Sequence, residues 1–230
     1  MITLKNLCVE HGDFYLSDVS LQVCNGEIYF LLNRQNSGND LLFNVLSGFR
    51  APAAGEIFYD ECLQGSAERP MPAALINKVP EAADFETESR IGDWIDFLCR
   101  CGALRRENVL QTLMVLNFNE TNLQKKVRDL PPEIFRQVYL ALCLAGNAPN
   151  LVINDFIKGT EKRLEMKFNK LLGQKKAAGQ AILYLGNDII YAAEIADRVG
   201  FIKNGHLLFE AEAVDIKDMD IKDLYYKFLS

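Results

Sequence analysis

Residues 33–40 are where this 230-residue sequence gathers side chains able to meet a charged ligand. They follow a continuous apolar run, Ile28-Tyr29-Phe30-Leu31-Leu32, and precede Leu41-Leu42-x-x-Val45-Leu46, whose apolar spacing is helical. A buried strand, a polar loop and a helix in that order make a cradle for phosphate, because the first free N–H groups and the positive end of the helix face the loop. The loop reads Asn33-Arg34-Gln35-Asn36-Ser37-Gly38-Asn39-Asp40. Asn39 and Asp40 stand at the start of the helix, where their side chains can accept backbone N–H bonds and offset the macrodipole; the helix is expected to cap itself there. Other reactive residue types are sparse. The two histidines, His11 and His206, stand far apart, and His206 falls in a strand-connecting turn where surface exposure is expected. Six cysteines (8, 24, 62, 99, 101 and 143) form no C-x-x-C and have no nearby histidine pair, so neither a zinc site nor a redox motif is implied. They are expected as free thiols packed like small apolar residues.

The elements around the loop read as alternating strands and helices. Residues 2–9, 19–23, 28–32 and 55–60 have strand character, broken by His11-Gly12-Asp13 and by Asn25-Gly26. From about residue 81 the period changes, and 91–98, 108–116 and 134–145 place apolar residues at helical intervals. The alternation then returns. Strands are expected at 151–153, 181–185, 199–202 and 207–209, and helices at 161–172, 191–196 and 221–229. Strands interleaved with helices imply a largely parallel sheet.

Composition narrows the partners. Hydrophobic residues make up 49% and charged residues 24%, which is ordinary for a globular domain and excludes a disordered or collagen-like chain. Twenty-five Lys and Arg against 31 Asp and Glu give a net charge of −6, the wrong sign for nucleic acid as the main partner. No apolar run approaches the roughly 20 residues that cross a bilayer, and the first residues lack the layout of a signal peptide. A soluble, cytoplasmic protein is expected.

Over nearly its whole length the sequence resembles the nucleotide-binding domain of ATP-binding cassette (ABC) transporters. The framing segments carry the likeness: Leu4-Lys5-Asn6-Leu7, Leu16-Ser17-Asp18-Val19-Ser20-Leu21, Gly26-Glu27-Ile28, Leu46-Ser47-Gly48 and Gly55-Glu56-Ile57. Val79-Pro80, Arg128-Asp129-Leu130, the run Ala192-Ala193-Glu194-Ile195-Ala196-Asp197-Arg198-Val199, and Lys203-Asn204-Gly205-His206-Leu207 follow in the same order. The resemblance implies an α/β fold, the P-loop NTPase-like ABC ATPase domain, with a mostly parallel sheet core, an antiparallel β part and a helical subdomain. It implies one domain over residues 1–230, with a core of 1–81 and 146–230 and a helical insert at 82–145.

The resemblance also implies five functional motifs, and the sequence departs from each. The phosphate loop should end Gly-Lys-Ser/Thr and ends Gly38-Asn39-Asp40, with Asn33 and Asn36 where glycines are expected and Ser37 before the last glycine. Asn is among the few residues that tolerate the left-handed region, so the loop can keep its shape. Glu81 stands at the Q-loop glutamine. The signature Leu-Ser-Gly-Gly reads Leu130-Pro131-Pro132-Glu133, which lacks the serine hydroxyl and the glycine N–H groups but makes a good helix start. The Walker B run reads Asn154-Asp155-Phe156-Ile157-Lys158-Gly159, and the switch His-Asp reads Asn187-Asp188. Gly159 sets this register; the alternative makes Asp155 the Walker B aspartate and leaves Phe156 as the base. His11 falls where the family often places an aromatic against adenine.

These departures have a physical cost for nucleotide. Asn39 has no ammonium for the β- and γ-phosphates, and Asp40 sets a carboxylate where they should dock. Against the family pattern the site carries two more negative charges. Each repulsion at 4 Å and an effective dielectric near 20 is about 4 kcal/mol, or about three decades of affinity. Asp155 is a remnant able to orient a water, one methylene shorter than glutamate, and Asn187 cannot take a proton as histidine does. No intact catalytic residue, no metal site and no cofactor are expected, with at most weak ATP and Mg²⁺. The function implied is a non-hydrolysing ABC ATP-binding subunit, peripheral on the inner face of the membrane. Its implied partners are a transmembrane transporter subunit and, as homodimer or heterodimer, another ABC ATPase subunit. Trp94, Phe97 and Leu98 are candidates for core or interface. The alternatives are a slow ATPase resting on Asp155 and an Asp40-held Mg²⁺, and a soluble regulatory scaffold.

Overall fold

A computed structural model describes residues 1–12, 14–33, 38–63, 75–80, 88–101 and 104–218. Two sheets form its frame. The smaller is antiparallel, in the order β2-β1-β4-β5, from β1 (Ile2–His11), β2 (Phe14–Val23), β4 (Ala54–Tyr59) and β5 (Cys62–Leu63). The larger has the order β10-β9-β3-β8-β7-β6, from β3 (Ile28–Leu32), β6 (Ile76–Val79), β7 (Asn150–Asn154), β8 (Ala181–Gly186), β9 (Arg198–Lys203) and β10 (His206–Glu212). Five of its strands run parallel, and β10 closes one edge antiparallel to β9.

The apolar pattern explains the layers. β3 is buried on both faces: Tyr29 and Leu31 point into a core shared with the small sheet, and Ile28, Phe30 and Leu32 into a core shared with the helices. Between the sheets lies α1 (Asn39–Leu46), burying Leu42, Phe43, Val45 and Leu46. β1 switches its inward face between Leu4 and Leu7, where Asn6 takes φ 50° and donates from Nδ2 to Oδ1 of Asp18 at 2.6 Å. Gly55 crosses at that bulge, where a Cβ would stand 2.3 Å from the Asn6 carbonyl oxygen, so the position admits no side chain.

Between β6 and β7 the chain is helical: α2 (Ile91–Arg100), α3 (Arg106–Val115), two short 3₁₀ turns and α4 (Pro132–Leu144). After β7 come α5 (Lys162–Ala177), α6 (Ile189–Ile195) and α7 (Ala213–Asp218). Periodicity missed β5, β6 and α7. β6 holds Asn77 and Lys78 between its two buried residues, which breaks the apolar run expected of a strand. α5 runs five residues past the expected end, because its last turns are carried by polar residues. The helix expected at 221–229 lies outside the described residues. Among the described residues no helix is long and apolar enough to cross a membrane.

Candidate functional site

The pairing of the parallel strands brings three chain segments to one edge of the sheet. Leu32 pairs with Gly186, and Leu185 with Asn154, so β3, β8 and β7 end side by side. Asn33 N–H then bonds to Gly186 O at 3.0 Å, and Asp155 N–H to Leu185 O at 2.9 Å. In open α/β sheets the crevice outside such carboxyl ends is where ligands bind.

α1 begins above this edge. Its N-cap is Gly38, at φ 80° and ψ 27°, and among the described residues no side chain caps the helix. The expected self-capping by Asn39 and Asp40 is therefore corrected. Both acceptors turn away from the helix and toward strand ends. Oδ1 of Asn39 accepts from Nδ2 of Asn33 at 3.1 Å, and Oδ1 of Asp40 accepts from Nδ2 of Asn154 at 2.6 Å. Each of these oxygens accepts from an amide at the end of a strand. Asn154 is 1% exposed, and its own Oδ1 has no hydrogen-bond partner among the described residues. An orphaned buried acceptor costs about 1–3 kcal/mol.

Asp155 follows at φ 35°, unusual for a residue with a Cβ, and is 8% exposed. Its carbonyl accepts from Lys158 N–H at 3.2 Å. Tyr184 lies below, its hydroxyl accepting from Ile157 N–H at 3.4 Å; burial, with the Asp155 charge adding to it, pushes that hydroxyl's pKa up. Asn187 ends the third segment. Asp188 caps α6, accepting from the N–H groups of Ile190 and Tyr191 at 2.9 and 3.0 Å.

The structure thus gathers Asn33, Gly38, Asn39, Asp40, Asn154 and Asp155 at one place. Asn36, Ser37 and Glu81 lie outside the described residues, as do Arg34 and Gln35. Leu130, Pro131, Pro132 and Glu133 sit elsewhere, at the start of α4, with Pro131 at the N-cap and Pro132 as its first helical residue. Glu133 there acts on the Lys167 ammonium of α5. Trp94 and Leu98 pack against the core, whereas Phe97 is 57% exposed. His206 is exposed, as expected, but stands at the start of β10 rather than in the turn before it; the side chain of His11 lies outside the described residues. The thiols correct another expectation, since Cys24, Cys62 and Cys101 are exposed rather than packed.

One cation beneath α1 was missed. Nζ of Lys78 donates to Ser47 O at the end of that helix at 2.6 Å and stands 4.6 Å from the centroid of Phe49. Burial lowers its pKa. A lysine within a four-residue edge strand gives no sequence signal for this contact.

Among the described residues, the donor set does not match the chemistry of a nucleotide with Mg²⁺. The residue that should bring an ammonium, Asn39, is a neutral amide bonded to Asn33, and the carboxylate of Asp40 is engaged by Asn154. A metal needs a second oxygen from the strand. Asn154 has a neutral, buried Oδ1 to offer.

No protein-family model matches the chain. It is similar to the ribose import ATP-binding protein RbsA of Yersinia pestis bv. Antiqua (strain Antiqua), 26% identical over 216 residues, covering 89% of this chain and 42% of that protein. It is also similar to the spermidine/putrescine import ATP-binding protein PotA of Legionella pneumophila (strain Lens), 22% identical over 214 residues, covering 90% and 58%. The chain spans about two fifths of the length of the ribose import relatives it matches. Among solved structures it superposes on the dimeric form of a bacterial ABC transporter cassette with a TM-score of 0.79 at 20% identity, covering 93% of this chain and 99% of that one. The ATP-binding subunit of an ABC transporter gives 0.81 at 17%, covering 99% and 98%. The fold is that of the ABC ATPase cassette, and over most of its length the chain is similar in sequence to import ATP-binding proteins.

Proposed function

We propose that this chain is an ABC transporter ATP-binding subunit that does not hydrolyse ATP and that acts by docking, on the inner face of the membrane, against a transmembrane partner. One observation carries the first half: the position that should hold the phosphate-binding ammonium is Asn39, a neutral side chain tied to Asn33 at 3.1 Å. Beside it stands the Asp40 carboxylate, so the described part of the site opposes a polyanion rather than attracting it. Similarity to import ATP-binding proteins supports the second half. A second reading, a slow ATPase, is favoured by Asp155, which keeps a carboxylate at the end of β7.

The test is recovery of the chain from membranes solubilised in detergent, followed by turnover assays on whatever complex is recovered. A multi-span membrane protein should accompany it. ATP turnover should be unchanged when Asp155 is replaced by Asn. Recovery without any membrane protein overturns the docking, and turnover abolished by Asp155→Asn establishes the slow ATPase.

A further inference from the structure

The Asp40–Asn154 contact joins the first turn of α1 to the last residue of β7 across 114 positions of chain. Its geometry is that of a charge-assisted hydrogen bond, an amide N–H on a carboxylate at 2.6 Å. The residue types on its two sides are exchanged with respect to the family pattern. That pattern puts a hydroxyl on the helix and a carboxylate on the strand, with a metal between them. Here the helix carries the carboxylate and the strand carries the amide. Each departure fits only with the other. Aspartate at 154 would face Asp40 with two carboxylates at hydrogen-bonding distance. A residue without an acceptor at 40 would leave both polar atoms of a buried amide unsatisfied, since Oδ1 of Asn154 already lacks a partner among the described residues. The amide is also oriented by this contact, because turning it over would set its oxygen against the carboxylate. The neighbouring pair repeats the arrangement, with Asn33 at the end of β3 holding Asn39.

We propose that Asp40 and Asn154 form a ligand-independent latch, an exchanged carboxylate–amide pair that makes directly the link between α1 and β7 that the family pattern leaves to a bound metal and nucleotide. The latch holds the start of α1 on the sheet with nothing bound. It stands whether or not the chain turns ATP over, so it is tested apart from activity.

The test is a sign reversal in thermal unfolding of the full chain without nucleotide or divalent cation. Asp40→Asn alone leaves a neutral acceptor for Asn154 and should lower Tm by no more than about 2 °C. Asn154→Asp alone sets two carboxylates together and should lower it by about 4–8 °C. In that second background, Asp40→Asn should raise Tm, because the new amide donates to the new carboxylate. A burial cost confined to position 154 would not respond to residue 40 in this way. If Asp40→Asn lowers Tm or leaves it unchanged beside Asn154→Asp, the latch is overturned. Should Asn154→Asp not fold alone, a folded double variant supports the latch, and a double variant that also fails to fold overturns it.

Discussion

The guanidinium of Arg198 stands 5.1 Å from the ring centroid of Tyr29, cation over aromatic face, at the join between the two sheets. Its two ends reach Oε1 of Glu27 at 3.0 Å and Oε1 of Glu210 at 2.8 Å, and Tyr29 donates its hydroxyl to the same Glu210 oxygen at 2.7 Å. Glu27 is largely buried and accepts from Cys24 N–H with its other oxygen. One cation therefore balances two carboxylates contributed by β10 and by the turn before β3. Arg198→Met keeps the apolar stem but strands Glu27; it should cost about 1–3 kcal/mol in denaturant unfolding. Tyr29→Phe removes one hydroxyl and should cost about 0.5–1.5 kcal/mol. Equal losses for the two would show that the charge balance at Glu27 contributes nothing.

Nucleotide affinity follows from the charges at the site. With Asn39 neutral and Asp40 negative, the chain should bind Mg-ATP more weakly than millimolar. Calorimetry giving a micromolar dissociation constant would contradict this. Restoring the family residues together, as Asn39→Lys, Asp40→Ser and Asn154→Asp, returns an ammonium and a hydroxyl and should tighten binding at least tenfold, about 1.4 kcal/mol.

Alkaline unfolding should be steep. Five of the eight tyrosines (29, 59, 139, 184 and 191) have hydroxyls pushed above the ordinary value of 10.0, burial being the main cause for each. The folded state keeps protons that the unfolded chain releases above pH 10, so this stabilisation is complete below pH 10 and falls as pH rises beyond it. The slope approaches about 1.4 kcal/mol per tyrosine per pH unit. Lys78, Lys167 and Lys175 act oppositely, since burial lowers each; their penalty fades as pH climbs toward 10.5. A shallow gain below pH 10.5 should precede the collapse. Tyrosinate absorbance should appear together with loss of helix, and a titration of most tyrosines in folded protein would refute the assignment.

Thiol reactivity should sort by position. Cys62 and Cys101 are exposed, and Cys24, though exposed, is raised by partial burial and the Glu27 charge. Burial pushes Cys143 up to about 12. At pH 8, labelling followed by peptide mapping should find Cys62 and Cys101 modified first, and Cys143 only after denaturation. Early modification of Cys143 would mean that α4 opens readily.

What the sequence revealed depended on whether the relevant partners were local. β3 was legible residue by residue, because burial on both faces leaves an uninterrupted apolar run. The two prolines at 131 and 132 announced the start of α4. β6 was hidden by Asn77 and Lys78, whose side chains answer to Gly146 O and Ser47 O rather than to strand periodicity. At the site, each departure from the family pattern was visible singly, but Asp40 was assigned to its own helix. Nothing local distinguishes an aspartate that caps from one that reaches a strand 114 residues away. The exchange of residue types at 40 and 154 was the available signal, and it is readable only when the two positions are compared with each other.

β6 and β7 are hydrogen-bonded neighbours running the same way, with Ile76 beside Asn150. A parallel pair cannot be joined by a tight turn; some element must carry the chain back across the sheet. α4 does this, lying over β6 with the Tyr139 hydroxyl on Pro80 O at 3.2 Å, and its far end is fastened where Asn77 and Lys175 both donate to Gly146 O. The helical stretch is therefore not an ornament hung on a finished sheet. Its last helix is as obligatory as a strand, while α2 and α3 are a detour made before the return journey. The strand order depends on the return made through α4, not on the path the chain takes before it. α2 and α3 fill the core with Ile91, Ile95, Val109 and Leu113 but do not themselves return the chain across the sheet; that task falls to the helix beside them.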